Sequence, residues 1–311
     1  MIISQKNILK TNKLQTEVNP LQSNQITMNK NPQTIAEPWQ DYELIDAGGG
    51  KKLERWGKII TIRPELQAYF HSGIPFTEWR KMAHWEYVDD AKGHSGKWKN
   101  LKKDSPTQWS ITYERLKFNL ELSPFKHVGL FPEQRVNWDF LSTNLNAEER
   151  FLNLFAYTGA ASCVARNAGA DTIHVDSSKS VLNWAKKNME SSRLLNIRWV
   201  HEDALKFLQR EEKRQRTYNC IIMDPPAWGN GAKGEKWKLE DQIDSLLGAA
   251  ANVLEPNGKL IVNTYSLALS FELLQELSDL YFGEREKQLT ELYLPSTSEK
   301  FMFCGNLLRV L

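Results

Sequence analysis

The stretch FLNLFAYTGAASCVARNAGADTIHVDSS (151–178), continued by HEDALKFL (201–208) and YNCIIMDPPAW (218–228), decides the fold. FLNLFAY is a short apolar run that closes on Gly159, and it reads as a strand buried on both faces. AASCVARNA follows as a helix ended by Gly169, and TIHVD (172–176) reads as the next strand. A helix from about Ser178 to Leu195, a strand at IRWV (197–200) and a basic helix from Ala204 to Arg214 repeat the alternation. YNCIIMD (218–224) is a fourth strand, a helix runs from about Leu239 to Leu254, and KLIVNTY (259–265) is a fifth strand beyond the PNG break at 256–258. A helix around 269–281 and two strands, about 286–293 and 302–310, close the chain, the pair predicting an antiparallel hairpin at one edge. Strand–helix alternation predicts an α/β fold, a doubly wound, mostly parallel sheet covered on both faces.

Upstream the pattern differs. YELIDA (42–47), a Gly48-Gly49-Gly50 turn and KLERWGKIITIRP (52–64) read as β structure, as do WSITYE (109–114) and LKFNLEL (116–122). Residues 37–128 are therefore expected to form a smaller β-rich subdomain, and 129–311 the α/β domain. Residues 1–36 hold eleven Asn or Gln and no aromatic residue or glycine, which predicts a disordered tail. Between the β runs, KGHSGKWKNLKK (92–103) carries five lysines, His94 and Trp98 without an acid. Such a loop suits phosphate contacts from residues such as Lys97 and base stacking on Trp98, and it equally suits a solvated surface. Seven of the eleven tryptophans precede residue 150, so that half is expected to hold core rings and exposed ring platforms.

Composition narrows the function classes. With 40 basic and 38 acidic residues the net charge is +2, so any nucleic-acid surface must be a local patch. No apolar run approaches the roughly 18 residues that cross a bilayer. The three cysteines, at 163, 220 and 304, form no C-x-x-C pair and fit a reducing compartment. No metal site, no membrane contact and a cytoplasmic location are the expectations; oligomeric state is left open.

In a doubly wound sheet, ligands bind at the carboxyl ends of the strands. The strand ends here present N-L-F-A-Y-T-G (153–159), Asp176, E-D-A (202–204) and D-P-P-A-W (224–228). An acid in the second position suits a ribose diol, and Asp203 suits an adenine amino group. The two prolines fix φ and remove two donors, giving a rigid turn. No G-x-G-x-x-G follows strand one and no G-x-x-x-x-G-K-[ST] occurs anywhere, so a dinucleotide site and a P-loop lack their glycine loops. A nucleoside ligand without phosphates, such as S-adenosylmethionine, needs none.

In this order NLFAYTGAAS, HVDSS, HEDALKFL and IIMDPPAW resemble the core of class I S-adenosylmethionine-dependent methyltransferases, a seven-stranded Rossmann-like domain. The likeness is strongest to the bacterial 23S rRNA cytosine-C5 and guanine-N7 methyltransferase family, whose Gln-Arg segment GLFPEQRVNWDFL (129–141) resembles. The resemblance implies that Asn153, Phe155, Tyr157, Thr158 and Gly159 border the methionine end. It gives Asp176, with Ser177, to the ribose and Asp203 with Ala204 to the adenine. Phe131, Gln134 and Arg135 would close over the cofactor, Arg135 pairing its carboxylate. Asp224 with the Pro225 and Pro226 carbonyls would orient the acceptor, and Trp228 would stack its base. The cytosine enzymes of that family carry a cysteine after strand five, where NTYSLA (263–268) has none. Direct displacement on a base of ribosomal RNA, without a cysteine nucleophile, is the expected chemistry. A methyltransferase for a protein or small molecule, and a non-catalytic RNA-binding protein on this fold, stand as alternatives.

Overall fold

The structure, a computed structural model, describes residues 31–90, 96–230, 236–266 and 268–311. Every element below belongs to the unit Pro32–Leu311. That unit opens with strand β1 (Gln33–Ile35), which pairs in parallel with the segment 291–293. Ala36 follows, fully buried, its amide donating to the Tyr293 carbonyl at 2.8 Å. Residues 33–36 thus depart from the expected disordered tail, because a sheet edge supplies the hydrogen bonds and burial that their composition lacks. The rest of that tail, residues 1–30, lies outside the described residues.

β2 (Tyr42–Gly48), β3 (Lys51–Trp56), β4 (Ile59–Pro64), β5 (Trp85–Asp89) and β6 (Gly96–Asn100) form a sheet in that order, with helix α1 (Phe76–Met82) inserted before β5. The glycine turn between β2 and β3 is obligatory: a Cβ on Gly48 would lie 2.2 Å from the Ser72 amide nitrogen. The helix was not foreseen. Trp79 anchors it, fully buried and donating its indole N–H to Asp46 at 3.1 Å. The expected basic loop is also corrected, since Lys97 and Trp98 sit on β6, paired with β5. Trp98 packs edge-on against Tyr87 and donates to the Ser123 carbonyl at 2.8 Å, so it is a packing residue and not a stacking platform. His94 lies outside the described residues. β7 (Gln108–Tyr113) and β8 (Leu116–Glu121) make a separate hairpin.

The second sheet takes β9 (Arg150–Leu154), β10 (Asp171–Asp176), β11 (Ile197–His201), β12 (Tyr218–Met223), β15 (Leu254–Thr264), β16 (Lys287–Pro295) and β17 (Phe301–Val310), with β13 (Trp228–Asn230) and β14 (Lys236–Lys238) forming a hairpin apart. These are the seven expected strands, and β1 adds an eighth in the order β1-β16-β17-β15-β12-β9-β10-β11. β9 to β12 and β15 pair in parallel, and β17 runs antiparallel between β15 and β16. β15 begins at Leu254 and runs through the PNG segment, earlier than the break suggested.

Helices α2 (Arg135–Asn144), α3 (Ala160–Asn167) and α4 (Lys179–Ser191) pack in sequence on one face. α5 (Ala204–Lys213), α6 (Leu239–Val253) and α7 (Phe271–Phe282) pack on the other. Period-two alternation divides each strand between the faces. In β9, Phe151 joins the core under α2 and α3, while Leu152 and Leu154 join the core under α5 and α6. Each such fully buried side chain contributes roughly 1.5–3 kcal/mol. Strand order reverses between β9 and β12, so their carboxyl ends flank the crevice where a ligand belongs.

Of the tryptophans, Trp56, Trp79 and Trp138 are fully buried. The exposed one is Trp228, at 65%, the ring for which base stacking was expected.

Candidate active site

Beyond β9 the chain turns through Phe155, Tyr157 and Gly159, at φ +54°, +50° and +83°. Left-handed backbone at two non-glycine residues costs on the order of 1–3 kcal/mol each. Local bonds hold it. The Ala156 amide donates to the Val175 carbonyl at 3.1 Å, and the Tyr157 amide to Asp176 Oδ2 at 2.9 Å. The Thr158 hydroxyl donates to the Gly129 carbonyl, and Asn188 Nδ2 to the Thr158 carbonyl at 2.9 Å. The φ of Gly159 favours glycine, and a Cβ there would meet Ala185 Cβ at 3.0 Å, so both the turn and its packing on α4 call for the glycine.

The turn delivers Phe155 and Tyr157 to a cavity of about 580 Å³, whose wall also takes in Phe131, Asp176, Ser177, Asp203, Ala204, Asp224, Pro225, Pro226 and Trp228. Eleven of the residues singled out from the sequence therefore meet in one space. Gln134, Asn153, Thr158 and Gly159 line a smaller space of about 50 Å³ that shares Phe131, Phe155, Tyr157 and Asp224 with the first.

Asp176 also accepts the Ser178 amide at 2.8 Å, and burial raises its carboxyl above the ordinary value against the pull of these amides. Asp203 caps α5 by accepting the Lys206 amide at 3.0 Å while facing the cavity. Asn153 is committed to a buried chain, donating to Ser162 Oγ at 2.9 Å, with His174 Nδ1 a further 3.0 Å on. Asp224 accepts from Gln134 Nε2 at 3.0 Å and from Asn263. Burial, with the charge of Glu133, pushes its carboxyl up to about 7 despite those two donors. The Pro226 carbonyl already accepts from Trp237 Nε1 at 2.6 Å.

Three expected site residues lie elsewhere. Lys97 and Trp98 are on β6, and neither lines either space. Arg135 opens α2 and turns outward, where its guanidinium donates to the Glu37 and Pro38 carbonyls and its Nε stands 3.3 Å from Asp139. Those partners draw its guanidinium away from the cavity, although its Nε makes no hydrogen bond.

The opposite wall was missed altogether: Lys52, Arg63, Glu65, Lys126, Glu133 and Tyr265. Lys52 Nζ stands 3.1 Å from Glu65 and 3.7 Å from Glu54, and Arg63 grips Glu54 through two bonds of 2.7 and 2.8 Å. Burial alone would raise Glu65, but the Lys52 charge and the Tyr265 hydroxyl outweigh it and bring the carboxyl down to about 2. The available signal was the placement of Lys52, Glu54 and Trp56 at period two, the pattern of one strand face turned inward. Cys163, Cys220 and Cys304 are buried free thiols. Cys304 nonetheless borders the cavity, its thiol donating to the Met302 carbonyl at 3.4 Å and held high by burial and Glu133.

A parallel sheet with acids at successive strand ends around one cavity is the arrangement of class I, Rossmann-like methyltransferases. The family profile described as S-adenosylmethionine-dependent methyltransferase matches residues 87–292, and the chain belongs to that family. The S-adenosylmethionine-dependent methyltransferase from Agrobacterium tumefaciens is 33% identical, with a TM-score of 0.82 over 90% of this chain and 95% of that one. SMU.776, a methyltransferase solved with SAH, shares the fold at 21% identity and a TM-score of 0.66, over 84% of this chain and 72% of its own. Ribosomal RNA large subunit methyltransferase K/L of Syntrophotalea carbinolica is 36% identical over 167 residues, 51% of this chain and 23% of that protein. Its counterpart in Shewanella frigidimarina is 32% identical over 149 residues, 47% of this chain and 20% of that protein. The match thus spans about a fifth to a quarter of these curated relatives.

The cavity suits the cofactor for which that family is described. The wall pairs carboxylate acceptors at Asp176 and Asp203 with apolar surface from Val175, Ala204 and Phe155, the mixture that a nucleoside diol and an uncharged purine require. Among the described residues no helix is long and apolar enough to cross a membrane.

Proposed function

We propose that the chain methylates a base of ribosomal RNA by direct in-line displacement. One observation carries this reading: the Asp224-Pro225-Pro226 corner and the exposed Trp228 ring stand on the same cavity as the strand-end acids. The bound cofactor supplies an electrophilic methyl group on a sulfonium. Phe155, Tyr157, Phe131 and the Thr158–Gly159 turn enclose its methionine end, with Gln134 and Asn153 beneath. Asp176 with Ser177 holds the ribose, and Asp203 with Ala204 the adenine. Asp224 accepts an acceptor N–H and fixes its nitrogen lone pair toward the methyl carbon. The Pro225 carbonyl offers a second acceptor, since Trp237 occupies the Pro226 carbonyl. Trp228 stacks the base presented to it. With the cofactor bound, its methyl carbon would pass from sulfur to the acceptor nitrogen, and Asp224 or water would take the proton that the nitrogen gives up. The protein contributes alignment and exclusion of water.

The ribosomal RNA assignment is supported by what the curated relatives are named for. Absence of a thiolate step is supported by Cys304, whose thiol is raised by burial and a neighbouring acid, the reverse of an activated nucleophile. In this reading residues 37–128 face the acceptor and 129–311 hold the cofactor. Transfer of radiolabelled methyl from S-adenosylmethionine into total RNA and protein, followed by nucleoside analysis, tests it. Label in one modified nucleoside of the large ribosomal RNA is expected; label confined to protein would overturn the RNA assignment.

A further inference from the structure

The outward turn of Arg135 leaves the carboxylate of the cofactor's methionine arm without its expected partner. Among the described residues, the lysines and arginines that line the larger cavity are Lys52, Arg63 and Lys126. Lys52 is committed to Glu65 and Glu54, and Arg63 to Glu54. His127 adds no charge, because burial, with the nearby Arg63, Lys52 and Lys126 charges, brings its ring down to about 3.

Lys126 differs. Its side chain is half-buried, and its ammonium has no hydrogen-bond or ion-pair partner among the described residues. Burial holds its pKa below the ordinary value; the Glu65 and Asp89 charges pull against this, and the Lys52 and Arg63 charges add to it. Its backbone is fixed: the Lys126 carbonyl accepts from Arg63 Nη1 at 3.0 Å. A half-buried cation without a direct partner is costly, and the cost is relieved when an anion pairs with it. A row of rings leads from the ribose acid toward this lysine. Asp176 holds the Tyr157 amide, the Tyr157 ring lies 5.2 Å from Phe131, and Phe131 lies 5.0 Å from His127, the residue after Lys126.

We propose that Lys126 is the cofactor-positioning residue that pairs with the carboxylate of the methionine arm, in the role that the family resemblance implied for Arg135. This inference rests on the cofactor site described above. It follows by elimination: the carboxylate is an anion that must enter the cavity, and Lys126 is the uncommitted cation on its wall.

The test compares two thioether ligands by calorimetry, S-adenosylhomocysteine and its decarboxylated analogue, which keeps the adenosyl group and the amine. Wild-type protein should prefer the carboxylate-bearing ligand by roughly ten- to a hundredfold, the range of a charge-assisted pair. In Lys126→Met that preference should fall toward one, with affinity for the decarboxylated analogue unchanged. Lys126→Arg should retain most of it. An unchanged preference in Lys126→Met overturns the proposal, as does a wild type that does not discriminate, a result that requires no variant to fold. A shallower salt dependence of RNA binding in Lys126→Met, with the ligand preference intact, would give the lysine to an acceptor phosphate and also overturn it. Binding of neither ligand by the wild type would overturn the underlying cofactor site, whereas binding of both alike would overturn the Lys126 assignment alone.

Discussion

Asp224→Asn separates the electrostatic cost of the site from its chemistry. In the folded protein the Asp224 carboxyl is raised from 3.8 to about 7, by burial first and by Glu133 second. Between those values the unfolded chain has released its proton and the folded chain has kept it. Stability therefore falls as pH rises through that window, and the full cost is present above it. A gap of about 3 pH units corresponds to about 4 kcal/mol. Asparagine carries no charge at any pH, so whatever hydrogen bond it loses or keeps to Gln134 or Asn263 is the same at both pH values and cancels in the comparison. About two of the 3 pH units lie above pH 5, so the variant should gain on wild type by roughly 3 kcal/mol between about pH 5 and about pH 8. Thermal unfolding of both proteins at the two pH values reads this directly. Methyl transfer should move the other way: wild-type turnover should rise through neutral pH as the carboxylate forms, and the variant should be nearly inactive throughout. A stability difference that is the same at both pH values would refute the raised carboxyl. Full turnover by the variant would refute its place at the acceptor.

Asp176→Ala should weaken S-adenosylhomocysteine binding by roughly ten- to a hundredfold, through the lost diol acceptor and the released Tyr157 amide, and calorimetry would measure it. Unchanged affinity would remove Asp176 from the ribose role. Trp228→Ala should raise KM for the RNA acceptor several-fold while leaving S-adenosylhomocysteine affinity intact, because the ring stands at the rim. A matching loss of cofactor affinity would place the ring on the wrong ligand. Cys304→Ser should retain most of the wild-type turnover in a steady-state methyl-transfer assay, and complete loss would establish a thiol step.

The α/β half was legible because each of its strands is a short apolar run whose end carries a diagnostic residue. Asp176, Asp203 and Asp224 could be placed at one sheet edge from order alone, since parallel strands bring their carboxyl ends together. The opposite wall was not legible. Glu65 and Tyr265 meet across 200 residues of sequence, and no local pattern reports such an encounter. Lys52 and Arg63 look like solvated charges until β3 and β4 turn them inward. Arg135 was misplaced for a related reason: a motif fixes where a residue starts on a helix, not which way its side chain leaves. Lys97 and Trp98 were misplaced because lysine-rich composition hid the strand that their alternation was already building.

The edge strand β1 carries a practical consequence. Trimming the chain at residue 37, where composition alone would cut, would strip the outermost ribbon of the large sheet. The backbone donors and acceptors of β16 that β1 now satisfies would then face solvent as an open template for other molecules. A shortened protein should self-associate through that uncovered margin, and material beginning before Gln33 should remain dispersed.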